Sequence, residues 1–129
     1  MPQPAARQND PVTGTDIHIL MVPSPGGPVP TPTPLPYAGQ LAMQLSTDVL
    51  INGRPAATQG SKSQQVPHIP PFPFQRPPTN QGTVVMGSPT VLVNGKPLAR
   101  MGDQVATCND PVDAPVSVIT AGSPDVMVA

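Results

Sequence analysis

The chain of 129 residues has two histidines, His18 and His68, and one cysteine, Cys108. Imidazole nitrogen and thiolate sulfur are the usual donors to zinc, and three protein donors with a fourth group complete a tetrahedral site. No zinc-finger spacing joins these three residues. What joins them is position: His18 follows Asn9-Asp10, His68 follows Gly60-Ser61 and Cys108 follows Gly102-Asp103, each a few residues beyond the same recurring phrase. Singly, a histidine or cysteine in a small domain is more often a packing or surface residue than a ligand. One per repeat and none elsewhere points to a shared metal site. The fourth position is unassigned: Asp16, Asp110 and Asp113 are the nearest acidic groups, and water or an open position would serve equally. A single cysteine excludes an internal disulfide.

Other chemistries find little support. All seven acidic residues are aspartates, so the chain has no glutamate base and no paired-glutamate site. Asp10, Asp48, Asp103 and Asp125 sit at turns, where local backbone hydrogen bonding is the ordinary explanation. Ser88 and Ser123 recur in Gly-Ser-Pro, which argues for turn geometry and against a nucleophile. Six basic residues and a net charge of -1 argue against a phosphate-tracking surface, so no nucleic acid is expected as a partner. No apolar run reaches transmembrane length and no signal peptide opens the chain, so synthesis in the cytoplasm is expected.

The elements that must position the three donors are legible as repeats. "VLINGRPAA" at residues 49–57 aligns with "VLVNGKPLA" at residues 91–99. Each has a short aliphatic run, then Asn-Gly, then a second run, which is the strongest short hairpin signal because both turn residues tolerate positive φ. Pro55 and Pro97 fall in the non-hydrogen-bonded pair of such a hairpin, where a missing N–H costs no ladder bond. A third copy is split between the ends: residues 4–10 match the second half and residues 122–128 match the first. Three repeats in a ring, with the N- and C-terminal strands paired, follow from that split. The fold class expected is all-β, a pseudo-threefold set of three β-hairpin repeats in one domain over residues 1–129. No helix is expected; residues 40–46 hold helix formers for one or two turns at most.

Two proline-rich inserts interrupt the pattern, at about residues 22–38 and 66–80. The first reads as extended polyproline-like backbone, a tucked or solvated linker between repeats. With one Tyr, two Phe and no Trp the core is thin. Small domains of this kind need a metal, a disulfide or a partner, and the disulfide is excluded.

The words "PAAR" at residues 4–7, "PAAT" at 55–58 and "PLAR" at 97–100, with "GSPTVLVNGKPLARMGD" around the last, resemble those of PAAR-repeat proteins. The resemblance implies a small sharp cone whose base sits, one monomer per trimer, on a trimeric valine-glycine-repeat spike protein of a type VI secretion system or related contractile injection system. It implies a structural zinc, rather than iron, near the apex, held by His18, His68 and Cys108. The family's usual set is three histidines and one cysteine, so the fourth ligand is open here. It implies a mechanical role in membrane puncture, with transient contact with the target membrane, delivery outside or into a target cell, and effector proteins as further partners. Two other readings remain: a small metal-dependent hydrolase using the same three residues, and a proline-rich adaptor that displays residues 22–36.

Overall fold

The computed structural model describes residues 2–67, 70–110 and 112–129. Among them there is no helix, and the all-β expectation holds. The strands are β1 (Gln3–Pro4), β2 (Pro11–Val22), β3 (Val29–Met43), β4 (Leu50–Ile51), β5 (Arg54–Pro55), β6 (Lys62–Gln65), β7 (Gln81–Val84), β8 (Leu92–Val93), β9 (Lys96–Pro97), β10 (Gln104–Thr107), β11 (Ala114–Ile119) and β12 (Met127–Val128). No helix of the described residues is long and apolar enough to cross a membrane.

Three two-stranded units come from the repeats: β4 with β5, β8 with β9, and β1 with β12. Asn52-Gly53 and Asn94-Gly95 make the two continuous turns, with φ of 53° and 78° in the first and 53° and 76° in the second. Positive φ at both residues gives the turn whose twist matches that of paired strands. Pro55 lies opposite Leu50 and Pro97 opposite Leu92, outside the pairs that flank the turns, Ile51 with Arg54 and Val93 with Lys96. The split copy closes through Gln3 opposite Val128 and Pro4 opposite Met127.

The units are stitched by a cycle of backbone hydrogen bonds. The Ala6 N–H donates to the Ala99 carbonyl (2.9 Å), Ala99 to Ala57 (2.9 Å) and Ala57 to Ala6 (3.0 Å). Three backbones this close leave room for little more than a methyl group, and all three alanines are fully buried. Ile51, Val93 and Val128, equivalent in the three repeats, share one apolar cluster with Ala5, Ala56 and Leu98. The Gly-Ser-Pro serines act as the sequence suggests: the Ser88 hydroxyl accepts the N–H groups of Thr90 and Val91, and Ser123 those of Asp125 and Val126, as Ser46 does for Asp48 and Val49. The turn aspartates divide. Asp10 and Asp103 accept the Arg7 and Arg100 N–H groups at 2.7 Å, as expected. Asp48 and Asp125 instead accept the side-chain amides of Asn94 and Asn52 from neighbouring hairpins. They tie repeat to repeat, which a purely local explanation misses.

Beyond each hairpin unit two longer strands rise, and the six close a barrel in the order β10-β11-β2-β3-β6-β7. Val12, Leu41, Val84, Val105 and Ile119 fill it next to the alanines. Farther along, glycine replaces bulk because opposing strands close in. A Cβ on Gly14 would stand 2.5 Å from the Val116 carbonyl oxygen, and one on Gly39 2.5 Å from that of Gln64. Polar side chains bond one another inside: Tyr37 Oη with Ser63 Oγ (2.7 Å), and Thr107 Oγ1 with Ser117 Oγ (3.0 Å).

The first proline-rich insert is not a linker. Residues 29–36 are the first half of β3, paired with β2 in unbroken register from Val22↔Val29 to Pro11↔Gln40. Prolines at every second position place each missing N–H on the edge that faces away from β2, so the ladder forms without loss. Residues 40–46, the helix-former stretch, complete β3 and turn at Gln44 with φ of 57°. Part of the second insert also pairs: Phe74 bridges Leu20, flanked by bonds from the Met21 N–H to the Pro73 carbonyl and from the Gln75 N–H to the Ile19 carbonyl, both 2.8 Å.

Candidate metal centre

Side chains alternate between the two faces of a strand, so residues two apart on β2 share one face. Val12 and Leu20 are buried on that face, and Asp16 and His18 lie between them, fully buried. Cys108 follows β10 directly and is buried among the same interior residues. The pairing of β2 with β11, and of β11 with β10, brings the two segments together from 92 positions apart in sequence. One donor atom each from Asp16, His18 and Cys108 lie within 4.8 Å of one another. Cys108 Sγ stands 3.4 Å from Asp16 Oδ2, and His18 Nε2 stands 3.9 Å from that oxygen. Donors around a tetrahedral zinc, at bond lengths near 2.0–2.3 Å, stand about 3.3–3.8 Å apart. The donor set and its spacing therefore fit a metal ion.

The surroundings orient these groups. Thr107 Oγ1 donates to Asp16 Oδ1, leaving Oδ2 toward the thiol. On the other side of His18, Asp110 Oδ2 lies 3.6 Å from Nδ1. Asp110 is itself held by the Ile19 N–H and by Arg76 Nε, both at 2.8 Å. Burial pushes the Asp110 carboxyl up, but these two donors outweigh it and leave the group below its ordinary value. The Phe74 ring meets His18 edge-on with centroids 5.4 Å apart. Burial, and then the Asp16 carboxylate, push the Cys108 thiol up to about 12. A bound dication acts against both causes, because it replaces lost solvation and neutralises the anionic neighbour.

Of the residues singled out by sequence, the fold brings His18 and Cys108 together; His68 lies outside the described residues. Among the acidic candidates for the open fourth position, Asp16 joins the cluster. Asp110 is engaged by Arg76 and Ile19, and Asp113 is half exposed with Oδ1 3.8 Å from Arg76 Nη2. The signal that singles out Asp16 is its place two residues before His18 on one strand, and it becomes readable once residues 11–22 are known to be a strand with an inward face.

The family model for the PAAR motif matches residues 75–129. That span holds the repeat at residues 91–99, Cys108, and Asp110 and Asp113 beside Arg76. A search of curated proteins finds no match.

Proposed function

On the premise that this chain is a PAAR-repeat protein, which the match over residues 75–129 supports, we propose that it caps the trimeric spike of a contractile injection machine. The PAAR motif is associated with spike-tip proteins of type VI secretion systems. The observation that carries the reading to this chain is the outer surface of the hairpin ring. Leu50, Leu92 and Met127 hold equivalent places in the three repeats and are 61%, 62% and 55% exposed. Exposed apolar side chains repeated once per hairpin suit a partner that offers one site per subunit, and so a single copy seated on a trimer. The metal cluster lies on strands that lead away from this ring, six residues beyond Val12 at His18, or roughly 20 Å along an extended strand. One end of the molecule thus docks, and a metal ties the other.

In this reading the ion is zinc, held by Asp16, His18 and Cys108, with His68 completing the set. It supplies folding free energy and not catalysis, because the unfolded chain has no preformed site. The role is mechanical: a rigid point that aids puncture of a target membrane, with effector proteins carried alongside. The pairing of residues 29–36 with β2 favours this over display of a free polyproline ligand.

The test uses the full chain with its trimeric spike partner. Leu50→Asp, Leu92→Asp and Met127→Asp together abolish co-purification with the spike while leaving zinc content near one per chain by plasma mass spectrometry. Cys108→Ser and Asp16→Asn lower zinc content and melting temperature. A triple variant that still binds the spike overturns the docking surface. Native protein free of stoichiometric metal overturns the metal tie.

A further inference from the structure

The segment of β2 and β3 beyond the barrel forms an arm with two edges, and the edges are treated differently. In an antiparallel strand the N–H and C=O of one residue point to one edge, and those of the next residue to the other. In β2 the odd-numbered residues point away from β3. Their groups are met: the Ile17 N–H by Asn109 Oδ1 at 2.6 Å, Ile19 by Asp110 Oδ2 at 2.8 Å and Met21 by the Pro73 carbonyl at 2.8 Å. The Ile17 and Ile19 carbonyls accept from the Asp110 and Gln75 N–H groups. Residues 73–75 and 109–110 thus cover this edge.

In β3 the parity is reversed, and the hydrogen bonds fix it. Odd-numbered Leu41 donates to the Asp10 carbonyl, on the β2 side, whereas even-numbered Ala38 donates outward to Gln65 Oε1 at 3.1 Å. Strand β6 covers the outer edge over Gly39 to Met43, and Gln65 caps Ala38. From there to the arm's tip the outward-facing residues are 36, 34, 32 and 30, and every one is proline. All four are exposed, and no described residue forms a strand pair with this edge. About seven residues of free strand therefore offer carbonyl oxygens and not one N–H.

We infer that this alternation is a device that stops a second copy of the chain from adding a strand to β3. An incoming strand would lose every bond in which β3 donates, and each proline ring would occupy the space where its backbone must approach. A free edge of this length with its donors intact is the ordinary template for edge-to-edge association. The inference stands on register and hydrogen bonding and does not rest on the spike-tip reading.

The test is a series in the full chain: Pro32→Thr, then Pro32→Thr with Pro34→Thr, then both with Pro30→Thr. Each step restores one outward N–H without adding an apolar side chain. Sedimentation velocity over a range of concentrations should show the parent species shifting to at least twice its mass, with the shift growing along the series. The control is Thr31→Val with Thr33→Val, which raises apolarity without adding an outward donor and should sediment like the parent. Pro-to-Thr variants that keep the parent's sedimentation and far-ultraviolet dichroism overturn the inference. So does a control that associates as strongly as the triple variant. The single Pro32→Thr variant decides the matter if the triple one fails to fold.

Discussion

Tyr37, the only tyrosine, shows how one residue reports on the barrel interior. It is 1% exposed and bonded to Ser63 Oγ. Burial pushes its phenol from 10.0 up to about 12, and the Ser63 bond only partly offsets this. The folded state therefore holds this proton more tightly than the unfolded state. Its contribution to stability is whole below pH 10 and declines as pH rises from 10 toward 12, by roughly 2–3 kcal/mol across that window. Ultraviolet absorbance should show phenol ionisation near 12 in the native protein and near 10 in denaturant. Tyr37→Phe should cost about 1 kcal/mol near neutrality through the lost bond, and should flatten the alkaline decline. Parallel alkaline melting curves for parent and variant would count against this account.

At the scale of elements, two glycines separate turn strain from strand crowding. Gly95 has φ of +76° and open space around its missing Cβ. Gly95→Ala should cost about 1 kcal/mol, from conformation alone. Gly14 lies in β2 with no such φ, but a Cβ there would stand 2.3 Å from Ser117 Oγ and 2.5 Å from the Val116 carbonyl oxygen. Gly14→Ala must push β2 and β11 apart and should cost more, about 1–3 kcal/mol or above. Chemical denaturation of both variants checks the order, and an equal cost would refute the crowding. The two cases differ in legibility as well. Asn-Gly announces Gly95 by itself, because a two-residue turn has a short-range energy. Gly14 means nothing until β11 is placed beside it. The same holds for residues 29–36: alternate prolines suit solvated polyproline and also suit one edge of a strand. Only the partner β2 decides between them.

At the scale of the molecule, the ends of the chain carry as much structure as its middle. Val128 is 4% exposed and shares a cluster with Ile51 and Val93. Terminal residues usually tolerate change because few contacts hold them. Here Val128→Ala should lower stability as much as Val93→Ala, by about 2 kcal/mol each, since both empty equivalent places in one ring. Thermal melts test the equality; a silent Val128→Ala would mean that the ring does not depend on its split copy. That dependence is visible in the sequence, where residues 122–128 and 4–10 complete one repeat.

The sequence by itself determined the features whose energy is local or repeated: the Asn-Gly turns, the Gly-Ser-Pro turns, the harmless prolines at 55 and 97, the pairing of the two ends, and the candidacy of His18 and Cys108. Tertiary structure alone decided that Asp16 stands between those two, that Asp48 and Asp125 bind neighbouring hairpins, and that the first proline-rich insert is a strand with a disarmed edge. The reason is common to all three. Each depends on which strand lies beside which, and a contact between residues tens of positions apart leaves no periodic trace in either segment.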